Sequence, residues 1–259
     1  MSDLPKLEET QMDEKILTKR SRRSLLLAAL SGGIGIAMFE WLNNMAWDRE
    51  IPWLLRRSLA LTDAGFKATF RKNALAPHVT PPANPIRING DIGLLENIDV
   101  DKYRVEISSP AHAQTQSLSI EDIKQLPARE ISFLFKCIEG WSQNVQCKGA
   151  HFSDLISKTG IGRHFQDGKE VHYKYASLKS LNGEYYVSMD MDSLLHPQTL
   201  LVYEMSQAPL LAENGYPLRL MTAVKYGVKS IKQVASIEFT NDVPKDYWAE
   251  NGYSDFIGL

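Results

Sequence analysis

Ser24–Leu42 carries no charge until Glu40 and shows no polar face. As a helix its 19 residues would span ~28 Å at ~1.5 Å per residue, about one hydrocarbon core. A surface helix of a water-soluble domain keeps one polar side, so this stretch reads as an export signal or membrane anchor. A buried helix of the folded domain is the alternative. Lys19-Arg20-Ser21-Arg22-Arg23 stands directly before it, which places the basic end in the cytoplasm. No small-x-small cleavage site follows, which favours a retained anchor over residues 1–43. Residues 1–18 are polar, mixed in charge and read as disordered.

The remainder is long enough for one substantial domain. Of the 259 residues, 44% are apolar and 23% charged, an ordinary globular balance. A net charge of −2 gives no electrostatic case for nucleic acid. Two cysteines do not make a disulfide scaffold, and no repeat is visible.

Residues 44–84 read as a helical segment and a linker. From Asp48 to Phe70, Ile51, Leu54, Leu55, Leu59 and Leu61 recur at helical spacing, with Pro52 in the first turn. Trp47 and Trp53 suit a membrane-interfacial belt, and packing on the domain is the equal alternative. Ala76–Pro85 contains four prolines and reads as a stiff, extended linker.

Residues 85–259 read as one mixed, strand-rich α+β domain with short helices. Tyr103, Val105 and Ile107 alternate, as do Val171, Tyr173 and Tyr175, and Tyr185, Val187 and Met189. Ile131–Phe135, Leu218–Met221 and Ile237–Phe239 add further strands. Ser119 with Asp122 resembles a capping box, Phe152–Ser157 is a short helix stopped by Gly160, and Asp190 caps the turn before His196. The histidines form no ligand cluster.

The chemistry concentrates in FKCIEGWSQNVQCKG, Phe135–Gly149, which holds both cysteines. Cys137 is a core thiol, a partner for Cys147 in a disulfide, or a thiolate ligand for a soft metal. One cysteine cannot make a zinc site, which needs four donors, but it can bond a metal already held by an organic cofactor. Glu139, two residues on, shares a face with Cys137 if the chain is extended; it is a solvated acid or a proton relay. Lys225, Lys229 and Lys232 fall at i, i+4 and i+7, the spacing of a solvated helix face. Asn214-Gly215 reads as a hairpin turn.

Cys137-x-Glu139-Gly-Trp-Ser resembles the metal-binding loop of the sulfite-oxidase superfamily of molybdopterin enzymes, in particular the bacterial branch with the methionine-sulfoxide reductase catalytic subunits. Leu195-His-Pro-Gln-Thr-Leu200, Asn214-Gly-Tyr-Pro-Leu-Arg219, Lys225-Tyr-Gly-Val-Lys-Ser-Ile-Lys232, Tyr247-Trp248 and Gly252-Tyr253 follow in family order. The resemblance implies a sulfite-oxidase-type fold and a molybdenum–molybdopterin cofactor with Cys137 as its metal ligand. It assigns Asn89, Ser177, Asn214, Arg219, Ser230, Ile231 and Lys232 to cofactor binding, while Lys225 stays a solvated residue. It also implies oxygen-atom transfer on a small or protein-bound substrate.

The chain departs from the family's usual pattern at Cys147, where relatives carry tryptophan, and at Ala223, where they carry proline. Cys147 reads as a packed small hydrophobe, with a regulatory disulfide or a second thiol near the metal as alternatives. No arginine follows Cys137 nearby, which favours a sulfoxide over sulfite unless a distant arginine reaches in. The family's immunoglobulin-like dimerisation domain is not expected, nor is a haem or iron–sulfur motif. Electrons are therefore expected to pass to or from a separate haem-containing or quinone-linked membrane subunit. Ser-Arg-Arg-x-Leu-Leu resembles a twin-arginine export signal, which implies a periplasmic protein anchored to the inner membrane. A non-catalytic binding or scaffold module with a Cys137–Cys147 disulfide is the rival reading.

Overall fold

The computed structural model describes residues 14–81 and 86–259, and the chain divides into two units, Met1–Asp48 and Arg49–Leu259. In the first, α1 (Glu14–Asn43) is continuous and β1 (Trp47–Asp48) closes the unit. Glu14–Thr18 are helical, not the disordered lead the sequence led us to expect; the expectation for residues 1–13 lies outside the described residues. Arg22–Asn43 is long and apolar enough to cross a membrane, and none of its most apolar stretch is buried. Leu25, Leu30, Ile34 and Phe39 all stand exposed, unlike the side chains of a domain-core helix.

The second unit opens with β2 (Ile51–Pro52) and α2 (Trp53–Thr69), whose N-cap is Pro52. A proline there loses no helical hydrogen bond. Two buried charges bolt α2 to the C-terminal stretch. Arg56 donates to the carbonyls of Tyr253 (2.6 Å) and Ala249 (2.9 Å). The Asp63 carboxylate accepts from the Ser254 hydroxyl and from the Phe256 amide. The expected linker is also tied down. Ala76 exchanges two hydrogen bonds with the Gln198 side chain (2.7 and 3.0 Å), and Thr80 O accepts from Asn144 Nδ2 at 3.1 Å. The expected boundary between residues 84 and 85 lies outside the described residues.

Two five-stranded sheets form the body. The first runs β10 (Tyr186–Asp190), β9 (Tyr175–Ser180), β14 (Val234–Thr240), β3 (Val105–Ser109), β4 (His112–Leu118), with only β14 and β3 parallel. The second runs β12 (Ala208–Pro209), β11 (Thr199–Met205), β6 (Ser142–His151), β5 (Ala128–Lys136), with β13 (Arg219–Thr222) also on β11. Both faces of its central strand β11 are buried. Along β11, Leu201 and Tyr203 join the main core, while Leu200 and Val202 join a smaller cluster with Phe133, Val145, Cys147 and Met221. The period-2 alternation of a strand explains that split. Gly149 permits the β6–β11 contact, since a Cβ there would sit 2.1 Å from Leu201 O.

Local signals behave as their chemistry requires. Ser119 and Asp122 form a reciprocal capping box on α3 (Ile120–Lys124), Gly160 ends α4 (Phe152–Thr159) in the left-handed region, and Asp190 caps α5 (Met191–Leu194). The expected strand over Val171–Tyr175 is instead broken. β7 (Arg163–Gln166) and β8 (Lys169–His172) form a hairpin, and Lys174 N then bonds Asn241 Oδ1 instead of a ladder carbonyl before β9 begins.

The lysine triplet is the largest correction. Only a single 3-10 turn, Gly227–Lys229, forms there, and Lys225 and Lys229 are 2% and 1% exposed. Lys225 Nζ lies 2.7 Å from Asp190 Oδ2 and donates to Phe256 O at 2.9 Å. Lys229 Nζ donates to Asp246 Oδ2 (2.6 Å), Ser188 O (3.1 Å) and Asp255 O (2.7 Å). Burial pushes the Asp190 carboxyl up, but the Lys225 charge and the donated hydrogen bonds outweigh it and hold it below the usual carboxylate range. Removing one partner of such a pair strands a buried charge, so Lys225→Ala should destabilise the protein by ~3–5 kcal/mol. Lys72→Ala, which breaks the exposed pair with Asp192 (2.7 Å), should leave the urea midpoint nearly unmoved. Denaturation of both variants in detergent measures the contrast.

Candidate active site

A cavity of about 320 Å³ opens where the β5–β6 loop, the Ile86–Ile92 segment, the stretch after β12 and the 3-10 turn converge. Cys137 lines it and is 7% exposed. The loop is closed by Cys137 N donating to Trp141 O (2.9 Å) and by Gly140 N donating to Cys137 O (3.1 Å). Gly140 takes φ +89, a conformation in which glycine meets no steric penalty. Asn89 Nδ2 lies 3.7 Å from Cys137 Sγ, so a buried thiol is met by an amide donor.

The opposite wall is basic. Arg219 donates to Asn214 O (2.9 Å) and to Ser230 O (3.1 Å), which fixes its guanidinium against two backbone turns. Burial lowers its pKa to about 10 against the opposing influence of Cys147. Arg219 Nε and Ser230 Oγ are buried without a hydrogen-bond partner, and both residues line the cavity. Buried donors of this kind are costly unless something accepts from them. Lys232 Nζ is shared among Asn89 O (2.9 Å), Gly90 O (2.7 Å) and Glu213 O (2.6 Å). Burial, followed by the Arg219 charge, brings its pKa to about 8, with Asp91 and Glu213 opposing. Lys232 thus staples the Asn89 segment to the turn before Gly215.

Of the residues singled out from sequence, Asn89, Cys137, Glu139, Asn214, Arg219, Ser230 and Lys232 line this one cavity. Ser177 and Ile231 do not. Ser177 is buried in β9 opposite Ser188, and Ile231 is wholly buried in the main core. Glu139 does not share the environment of Cys137, because the chain turns there instead of staying extended. It is exposed, and its carboxylate accepts from Trp141 Nε1 at 3.0 Å, so it stands in solvent beside the cavity. Asn214 ends a 3-10 turn capped by Gly215, where a two-residue hairpin was expected. Cys137 and Cys147 are free thiols, so the disulfide alternative is not realised. Cys147 is sealed in the smaller core, and burial pushes its pKa up to about 12, with Arg219 opposing.

Tyr185 and Arg87 also line the cavity and were not singled out from sequence. Tyr185 donates through its hydroxyl to Val228 O and accepts there from Trp248 Nε1 at 3.0 Å. Its only sequence signal was strand alternation. Arg87 places its guanidinium 4.7 Å from the Trp141 ring centroid at the mouth. A distant arginine therefore does reach the site.

Residues 92–248 match the oxidoreductase molybdopterin-binding domain family. The chain belongs to that family. It is 31% identical over 197 residues to the putative protein-methionine-sulfoxide reductase subunit YedZ1 of Azospira oryzae, covering 73% of this chain and 70% of that one. Identity is 30% over 176 residues to the protein-methionine-sulfoxide reductase catalytic subunit MsrP of Campylobacter jejuni, covering 64% of this chain and 58% of that protein. Rat mitochondrial sulfite oxidase is 23% identical over 202 residues, covering 69% of this chain and 36% of that one. These likenesses place the oxidoreductase in the sulfite-oxidase superfamily, on the bacterial branch of the methionine-sulfoxide reductases. The matched stretch spans little more than half of the Campylobacter protein.

The family's molybdenum–molybdopterin cofactor fits the donor set. A soft thiol faces the cavity, and the unpartnered Arg219 Nε and Ser230 Oγ are the donors an anionic, oxygen-rich group would take. Gly215 tests the staple. It sits at φ +98, and a Cβ there would lie 2.7 Å from Lys232 Cβ. Gly215→Ala should cost ~1–3 kcal/mol in strain, displace Lys232 and lower the molybdenum content per chain, although no polar group is removed. Metal analysis with a thermal melt checks this.

Proposed function

We propose that this oxidoreductase reduces sulfoxides, with methionine sulfoxide, free or in protein, as the substrate class, using electrons from a separate membrane subunit. The observation that carries the reading is the thiol of Cys137 facing a cavity whose far wall holds unpartnered donors on Arg219 and Ser230. Cys137 would be the single protein ligand to molybdenum. Arg219, Ser230 and the backbone around Asn214 would hold the pterin and its phosphate, while Lys232 and Asn89 fix the loop beside the metal. When bound, the cofactor would supply oxygen-atom transfer and two-electron redox chemistry.

Around it, the chain's own groups define the reaction space. Phe135, Trp141, Trp248 and Tyr253 line the cavity and exclude water from one side of a thioether-sized substrate. Sulfoxide reduction consumes two electrons and two protons and releases water. Tyr185 stands in the cavity lining with its hydroxyl committed to Val228 O and Trp248 Nε1. Burial raises its pKa, with Asp246 adding to the effect, so it stays protonated and keeps its hydrogen bond to Val228 O.

The sulfoxide preference is supported by the names of the relatives and by the apolar walls. The absence of a nearby arginine no longer supports it, because Arg87 stands at the mouth. The electron donor would be a haem-containing or quinone-linked membrane subunit. We further assign residues 1–43 to export and anchoring, which makes the protein periplasmic and tethered to the inner membrane.

Two experiments test this reading. Wild-type protein from a molybdate-fed host should carry about one molybdenum per chain, and Cys137→Ser should lose it with the fold retained, since a hydroxyl is a far poorer ligand for a soft metal. The loaded wild type should reduce methionine sulfoxide with an artificial electron donor and leave sulfite unoxidised. For export, Arg22→Lys with Arg23→Lys should trap cofactor-loaded protein in the cytoplasm, because lysine keeps the charge but loses the planar donor fork. Protease protection in intact cells reads the outcome, and normal export of the double variant would leave only a generic anchor.

A further inference from the structure

Helix α2 is amphipathic in the wrong direction for a water-soluble surface. Its inward face carries the charges, buried Arg56 and Asp63, both bonded to the C-terminal stretch. Its outward face carries Leu54, Leu55, Leu61 and Phe66, which are 42%, 53%, 76% and 42% exposed. Their spacing puts them on one broad arc at 3.6 residues per turn. A helix on an aqueous surface shows the reverse pattern.

The polar side chains of that arc are turned back onto the helix. Ser58 Oγ donates to Leu55 O (2.8 Å), Thr62 Oγ1 to Ser58 O (3.0 Å) and Thr69 Oγ1 to Gly65 O (3.0 Å). Hydroxyls satisfied by their own helix need no water, which is the condition an apolar surrounding imposes.

We infer that the outward face of α2 is a lipid-binding surface that lies in the membrane interface. Three observations choose lipid over a protein partner. The apolar stretch of α1 ends at Asn43 and α2 begins at Trp53, so only nine residues separate them; an extended tether of that length reaches roughly 30 Å at most. Arg57 is the exposed cation of the first turns, Lys67 lies 5.3 Å from the Phe256 ring on the domain side, and the one carboxylate, Asp63, is turned inward, so no exposed acid of the helix opposes anionic headgroups. Trp53 opens the helix with the Arg57 guanidinium 6.0 Å from its ring centroid, an aromatic–basic pair suited to the headgroup level. Arg56 also ties the helix to Ala249 and Tyr253, next to cavity residues Trp248 and Tyr253. Docking α2 therefore holds the catalytic mouth at a fixed distance from the bilayer.

The choice of occupant rests on the anchor reading of α1, and the experiment separates the two. Full-length protein is reconstituted into phosphatidylglycerol–phosphatidylethanolamine vesicles, with a nitroxide at Leu61→Cys or, as a control, at Phe165→Cys, which is 76% exposed on the β7–β8 hairpin. Unsubstituted protein controls for labelling of the two buried native thiols. Collision with a water-soluble nickel chelate should be roughly fivefold lower at Leu61 than at Phe165, and collision with oxygen higher, as in a lipid interface. Adding Leu54→Glu to the Leu61-labelled chain should restore contact with the chelate. Equal chelate access at both positions overturns the inference. So does protection that scales with protein-to-lipid ratio, which marks a second copy, or that appears only with other membrane proteins present. Alkaline carbonate extraction reports on α1 separately, since loss of the protein from the vesicles there refutes the anchor and not the lipid contact of α2.

Discussion

The buried ion pair between Lys229 and Asp246 sets both walls of the cavity. Neither side chain is more than 1% exposed, so each charge has given up its hydration and depends on the other. Lys229 also gathers Ser188 O and Asp255 O, which joins β10 to the C-terminal stretch. Its neighbours Gly227 and Val228 line the cavity on one side. On the other, Asp246 caps the short helix α6 (Tyr247–Glu250), which carries Trp248 to the same cavity. Tyr185 closes the ring by bonding both Val228 O and the Trp248 indole. A chain that placed these turns without a shared charge would leave each free to drift, because a 3-10 turn and a four-residue helix have little stability of their own.

The same device recurs one layer further in, with a difference that matters for chemistry. Lys232 is held by three carbonyls and Arg219 by two, and carbonyls orient a cation without neutralising it. The Lys229 cation meets a carboxylate, whereas these two keep net positive charge at the cavity wall. The burial that lowers both pKa values is the measure of what an anion arriving there would relieve. Lys225 and Lys229 are thus each paired with an acid, whereas Arg219 and Lys232, whose side-chain hydrogen bonds go to carbonyls, line the cavity.

Much of this was legible in the chain, and the losses have physical causes. Capping residues act within a few positions, so Ser119–Asp122, Gly160 and Asp190 could be read locally. The cysteine loop and the Arg219–Lys232 stretch were legible because their residue types are unusual in sequence and adjacent in space. Lys225 and Lys229 were misread because i, i+4 spacing reports on helices only, and the chain there makes one 3-10 turn. Their partners Asp190, Asp246 and Phe256 lie about 17 to 35 residues away in sequence, with nothing local to announce them. Arg87 failed to register for the same reason. It meets Trp141 across more than fifty residues, a contact that only the folded sheet creates. Glu139 failed differently: its spacing from Cys137 was read as extended, and Gly140 at positive φ turned it outward.

The placement of the cations also bears on which oxo compounds the site can distinguish. Arg219 is 6% exposed, so its attraction to an anion bound against it is little diluted by water. Arg87 sits on Trp141 at an exposed mouth, where a cation–aromatic contact is worth only ~0.5–1 kcal/mol and salt screens its reach. A small dianion entering from water would give up a large hydration energy and receive little from one solvated arginine. A neutral sulfoxide gives up much less and gains from the apolar faces of Phe135, Trp141 and Tyr253. On the proposed reading, with Arg219 engaged by the cofactor and Arg87 in solvent, desolvation would favour a neutral oxo compound over a dianion.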